Sequence, residues 1–301
     1  MRRSAGNGCG IAGRQLGCDT ITGVGGVGKS RLAIEVARDI IDQFDDGVWF
    51  EQLAWITNAE LVPNAIASVL GIQGSGDRAM LEMLGHGLRR RKLLLILDNC
   101  EHVLSAASAA VAFLERTCPG VVILATSREP LALTDELNYV LGPLETPPGD
   151  VVSLEVALAF AAVDLFSRRA ASLGPGVFDL TDETTSAVVD IVRRLDGLPL
   201  AIELAATKLS DLGIDQLARG LHDRFGLLVD DRPAELPRHQ ALWTLIDWSY
   251  ETLSDDERFV FESCTVFAGP FTVVPSSPSR RAMRCATPRS ITPSRRLSRS
   301  R

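Results

Sequence analysis

Five consecutive apolar residues, Leu93-Leu94-Leu95-Ile96-Leu97, run into Asp98 with no alternation of polar and apolar positions. A strand with one wet face would alternate with period two, so this run predicts a strand buried on both faces, the mark of a parallel sheet covered by helices on each side. A second run of the same kind, Val121 to Ala125, ends in Thr126-Ser127-Arg128. Between and before them lie helical stretches: Ser30 to Ile41, with a stripe at Leu32, Ala33, Val36, Ala37, Ile40 and Ile41, then Ala59 to Leu70, Ala79 to Arg91 and Val103 to Thr117. Val48 to Leu53 and the short Thr20 to Thr22 read as further strands. Alternation of this kind over residues 19–150 predicts a doubly wound α/β domain. In such sheets ligands collect beyond the carboxyl ends of the strands, and Gly23, Asp98 and Arg128 all follow strand ends.

The turn after the first strand is Gly23-Val24-Gly25-Gly26-Val27-Gly28-Lys29-Ser30, which fits G-x-x-x-x-G-K-[ST]. Backbone amides wrap a phosphate only where no side chain intrudes, and glycine reaches the dihedrals such a loop needs. The helix that follows points its positive end at an anion, Lys29 is placed to neutralise β and γ phosphate oxygens, and Ser30 to set its hydroxyl on magnesium. Lysine occurs only at positions 29, 92 and 208, against 28 arginines, so its use in this loop is a choice. Asp98, closing the buried run, stands where P-loop proteins keep the acid that holds magnesium directly or through water, or else is a strand-end aspartate in a turn. Glu101, three residues on, is the nearest carboxylate able to take a proton from water, and reads equally as an acid opening a helix. Arg128 is either a sensor of the γ phosphate or the partner of Glu129 in a surface ion pair. No N-K-x-D run is present to read guanine, which favours an adenine nucleotide.

Past Pro147-Pro148-Gly149 the pattern turns all-helical over residues 151–235. Leu154 to Ala171 reads as a helix, Thr181-Asp182-Glu183 opens another to Leu195, and Gly197 and Pro199 punctuate the start of a third, Leu200 to Leu209. A third region over 236–273 carries a helix from Gln240 to Leu253 and a capping box, Ser254 to Glu257. Residues 1–18 show no periodicity and are an ill-defined lead-in. Residues 274–301, rich in Pro, Ser, Arg and Thr, cannot build a core and read as a disordered basic tail, an out-of-frame translation, or a nucleic-acid-binding arm.

Charge separates these regions. The formal charge is −7, but eight arginines and no acid fall in residues 272–301, leaving −15 for the rest. So acidic a globular part is a poor non-specific ligand for nucleic acid. The six cysteines show no C-x-x-C pair and no metal spacing, which points to reduced thiols in a cytoplasmic protein. The start, Met1-Arg2-Arg3, runs into a Gly-rich polar stretch and not an apolar signal segment. Glu155 and Asp164 interrupt the most apolar window, so no membrane span is expected.

Taken in order, the P-loop, Leu94-Leu95-Ile96-Leu97-Asp98-Asn99-Cys100-Glu101-His102, Ala125-Thr126-Ser127-Arg128-Glu129-Pro130, Asp196-Gly197-Leu198-Pro199-Leu200-Ala201 and Asp247-Trp248-Ser249-Tyr250 resemble the motif series of NB-ARC-type STAND ATPases, in the branch found in bacterial transcriptional regulators. The resemblance runs from about Thr20 to Thr272. It implies a P-loop NTPase domain, a helical ARC domain and a partial winged-helix domain, acting as a switch between an ADP-bound closed form and an ATP-bound open form that self-associates. Carried over by position, Lys29 and Ser30 are the Walker A pair, Asp98 the Walker B metal residue and Arg128 the γ-phosphate sensor. Pro199 packs near the adenine, and His102 is helix-start structure. Asn99 stands where many relatives have a second acid, which implies slow hydrolysis. The upstream Gly-Arg that touches the base and the His of the ADP-sensing Met-His-Asp motif have no equivalent. The expectation is therefore the ATP/ADP and magnesium switch module of a larger regulator, shortened at both ends, a weak ATPase at most, reaching DNA only through other domains. The rival readings are a housekeeping P-loop ATPase or kinase, and a truncated fragment without function.

Overall fold

In a computed structural model of the chain, the described residues are 18–73, 80–149, 153–228, 250, 253–264, 272–273 and 285–286. In chain order the first part holds β1 (Cys18–Thr22), α1 (Lys29–Ile40), β2 (Val48–Gln52), α2 (Val62–Val69), α3 (Met80–Leu88), β3 (Leu93–Asp98), α4 (Leu104–Thr117), β4 (Val121–Ser127) and β5 (Leu137–Val140). All five strands pair in parallel, in the order β2-β3-β4-β1-β5. Every residue of β3 is buried, as the unbroken apolar run requires. Leu93, Leu95 and Leu97 share one core with residues of α2, α3 and α4, so by strand alternation Leu94 and Ile96 face the opposite side. There α1 buries Ala33, Ala37 and Ile40 at helical spacing. The fold is therefore the α/β sandwich expected, with helices on both faces of a parallel sheet.

Three local differences from the sequence reading matter for the site. The strand before the P-loop begins at Cys18, not Thr20, and is five residues long. It lies between β4 and β5, with Asp19 in register with both Leu124 and Leu137. β5 was not expected at all. The segment predicted as one helix from Ala59 opens with a 3-10 turn, Ala59–Leu61, capped by the Asn58 side chain, before α2 begins.

Contacts divide the chain into two units. The first contains the sheet and its helices; the second contains Val24–Gly28 and Leu141–Phe259. The second unit holds α5 (Leu154–Ala157), α6 (Ala161–Ala171), α7 (Asp182–Arg194), α8 (Pro199–Thr207) and α9 (Ile214–Leu228). Its core gathers Phe166, Val188, Ile191, Ile202 and Leu217, with Phe166 and Phe178 edge to face at 5.8 Å. The single helix expected over Leu154 to Ala171 is broken at Phe160, which is extended and leads into α6. α7 starts on the Thr181 capping box, and α8 has Pro199 in its first turn. The Ser254 box also forms: Ser254 N–H donates to Glu257 Oε2 at 2.8 Å ahead of a helix over Asp255–Cys264.

Two residues of the expected disordered tail, Cys285–Ala286, pair antiparallel with Thr272–Val273. The lead-in 1–17, the helix predicted from Gln240, the Asp247-Trp248-Ser249 run and the remainder of the tail lie outside the described residues. Among the described residues, no helix is long and apolar enough to cross a membrane.

Candidate functional site

The loop between β1 and α1 has the backbone its glycines predict. Gly23, Gly26 and Gly28 have φ of 152°, 77° and 100°, the region that side chains disfavour. Gly25 is not in that region, yet a Cβ added to it would meet nothing within 4 Å, and the same open space lies beside Gly28. The backbone is thus uncovered at Gly25 and Gly28, as close approach of a phosphate to the amides requires.

Lys29 and Ser30 open α1. The Lys29 ammonium donates to Gly23 O at 2.9 Å, closing the loop on itself, and the residue is only 9% exposed. Burial pulls its pKa below the ordinary lysine value; the carboxylates of Glu101 and Asp98 oppose that shift, and the Arg128 guanidinium adds to it. Two acids and two cations from separated stretches of sequence are thus brought together: Lys29 from the loop, Asp98 and Glu101 from the end of β3, and Arg128 from the end of β4.

At the end of β3 the chain turns sharply. Asn99 is left-handed at φ 64°, ψ 55°, and a short 3-10 turn, Cys100–His102, follows. The turn returns Glu101 to the sheet end, where Glu101 Oε1 accepts from Arg128 Nε at 3.1 Å. The Arg128 partner is Glu101, not Glu129, the neighbour named in the ion-pair alternative to the sensor reading. Glu101 Oε2 is buried without a hydrogen bond from the described residues, an uncommon state for a carboxylate oxygen and one that fits a water or a cation as partner. The Asp98 carboxylate, 3% exposed, takes a hydrogen bond on Oδ1 from the Thr126 hydroxyl at 2.7 Å. His102 is tied to structure, as expected, its ring within 3.2 Å of Ile56 O and 3.4 Å of Asn99 Nδ2.

The donor set available to a metal is hard oxygen: the Ser30 hydroxyl and the Asp98 and Glu101 carboxylates. Among the described residues no group of three or more His, Cys, Asp or Glu is placed to hold an ion. That donor set suits magnesium, which keeps several waters and binds through one or two carboxylates plus phosphate, and does not suit a zinc site built wholly from protein.

In the second unit Leu200 N–H donates to Gly26 O at 3.1 Å. A Cβ on Gly26 would lie 2.9 Å from Leu200 Cβ, so the approach itself requires glycine. Pro199 and Gly26 are thereby neighbours. Gly197, at φ 66°, accepts from Leu144 N–H at 2.9 Å. The sequence reading singled out Pro199 but missed Leu200 and Thr126.

Over 252 residues, 84% of its length, the chain is 36% identical to a Mycobacterium tuberculosis protein provisionally named an HTH-type transcriptional regulator, and covers 27% of that protein. The similarity falls within one segment of that regulator. The chain therefore spans about a quarter of that relative's length. A second relative is the regulatory protein AfsR of Streptomyces coelicolor, 29% identical over 215 residues, which are 69% of the chain and 19% of AfsR. Among solved structures, a signal transduction ATPase with numerous domains from Pyrococcus horikoshii, carrying a tetratricopeptide repeat sensor, has a TM-score of 0.47 at 13% identity, over 85% of the chain and 33% of its own. No family model matches the chain.

Proposed function

We propose that this segment is the adenine-nucleotide switch of a larger bacterial regulator, of the NB-ARC type within the STAND ATPases, binding ADP or ATP with magnesium at Gly23 to Ser30. The observation that carries the reading is the convergence of Lys29, Asp98, Glu101 and Arg128 at the start of α1 and the ends of β3 and β4. Phosphate is assigned to the amides of Gly25, Gly26 and Gly28 and to Lys29, which exchanges Gly23 O for phosphate oxygens. Ser30 and Asp98 are assigned to magnesium, which when bound neutralises and orients phosphate oxygens. Pro199, next to the Leu200–Gly26 bond, is assigned to the adenine side.

Arg128 and Glu101 then share a role. Paired as they are, the guanidinium is engaged and one carboxylate oxygen is left for water; a γ phosphate competes for Arg128 and frees Glu101 to orient that water. Asn99, an amide, supplies no base beside Asp98, which supports slow turnover and a regulatory, not metabolic, use of ATP. Self-association in the ATP state, DNA contact through other domains of the whole protein, and a cytoplasmic setting belong to the same proposal. The test is equilibrium binding of a fluorescent ATP analogue to the wild type and to Lys29→Ala. The variant should lose at least about tenfold in affinity, as loss of a charge-assisted contact of about 1.5–3 kcal/mol implies. Full retention would remove the site assignment.

A further inference from the structure

Thr126 is 1% exposed and lies on β4 one step beyond the Leu97–Ala125 register pair, opposite Asp98. Its hydroxyl makes two bonds of fixed sense. Asn99 N–H reaches Oγ1 at 3.0 Å, and an amide can only donate, so the hydroxyl accepts there. Its one proton is left for Asp98 Oδ1 at 2.7 Å. Asp98 Oδ2 takes no hydrogen bond from the described residues. One hydroxyl thus decides which carboxylate oxygen is engaged and which is open.

The same hydroxyl holds the bend. Asn99 sits at a positive φ, which asparagine tolerates better than other side chains, and the Asn99–Thr126 bond secures it. The bend returns Glu101 to Arg128, two residues beyond Thr126. The end of β3, which carries both acidic groups, is therefore stapled to β4 by a single side chain, itself buried and β-branched as a central strand prefers.

We infer that Thr126 is a positioning residue for the divalent cation: it fixes the Asp98 carboxylate with Oδ1 occupied and Oδ2 presented to the metal. The inference rests on the proposed assignment of Asp98 to magnesium. Valine at position 126 keeps the shape and removes the hydroxyl, leaving Asn99 N–H and Asp98 Oδ1 unpartnered and the carboxylate free to turn. Serine keeps the hydroxyl. Partners one step behind a metal ligand typically matter by about ten- to a hundredfold in metal affinity.

The experiment titrates MgCl2 into the full chain with an N-methylanthraniloyl ATP probe, for wild type, Thr126→Val and Thr126→Ser, each also measured in EDTA. The expected result is unchanged probe affinity in EDTA for all three, a magnesium half-saturation raised about tenfold in Thr126→Val, and recovery to within about threefold in Thr126→Ser. Wild-type magnesium dependence in Thr126→Val, or a serine variant as impaired as the valine one, overturns the inference. If the valine variant does not fold, Thr126→Ala takes its place against Thr126→Ser: a raised magnesium half-saturation supports the inference, and wild-type dependence overturns it. Failure of the wild type to bind the probe at all removes instead the nucleotide reading on which this one rests.

Discussion

Single residues carry most of what is specific here, and not all of them lie at the site. Glu51, on β2 opposite Leu97, has its pKa raised to about 7 by burial. Its carboxyl holds a proton more tightly in the folded chain than in the unfolded one, where the value is near 4.5. Its contribution to stability is therefore fully present below about pH 4.5 and is lost as pH rises through about 7. Glu51→Gln, which carries no charge to desolvate, should gain on the wild type across that window, with a Tm advantage growing to a few degrees by about pH 8 in thermal melts. A constant difference between the two would show that Glu51 does not titrate there. Burial likewise pushes up the thiols of Cys18, Cys100 and Cys118, that of Cys100 to about 12. A thiol reacts as its thiolate, so iodoacetamide on the native protein should spare these three and label Cys264, which is not buried, as read by peptide mass spectrometry. Labelling of the three at the rate of the denatured chain would contradict that picture.

Elements were legible in proportion to how much of their reason is local. β3 could be read because five apolar residues in a row leave a strand only one environment, and α7 because Thr181 and the acids after it satisfy a helix start by themselves. β5 could not: Leu137–Val140 is short, exposed along its length, and becomes a strand only because β1 offers its edge. The early start of β1 has the same cause. The break at Phe160 interrupts good helix-forming residues, so the reason lies in tertiary packing, not in propensity. α9 was not anticipated although its signal is local, since Ile214, Leu217, Ala218 and Leu221 have helical spacing. Gly197 was read as helix punctuation, but its larger constraint is non-local: an added Cβ would run into Leu144 O. Gly197→Ala is therefore expected to destabilise the helical unit by about 3 kcal/mol, well beyond an ordinary surface change, as measured by urea unfolding. An effect under about 0.5 kcal/mol would mean that the Leu144–Gly197 contact is not made.

On the scale of the whole molecule, the site's composition was legible and its wiring was not. Lys29 and Asp98 were singled out by motif position, Glu101 as the nearest carboxylate able to take a proton and Arg128 by its place at the end of a buried strand, and the structure brings the four together. That Arg128 binds Glu101, that Thr126 holds Asp98, and that Leu200 reaches Gly26 depend on which strands and helices become neighbours. The chain matches about a quarter of a larger regulator, and the central claim made for it is the nucleotide switch proposed at Gly23 to Ser30. The most direct measurement of that claim is mass spectrometry of the nucleotide released by denaturing the purified wild-type chain, paired with its magnesium-dependent binding of ADP and ATP. The account predicts ADP or ATP at near one per chain, exchangeable, and turned over far more slowly than about 1 per second, a common enzyme rate. A chain that carries no nucleotide and binds neither ADP nor ATP in the presence of magnesium would contradict it.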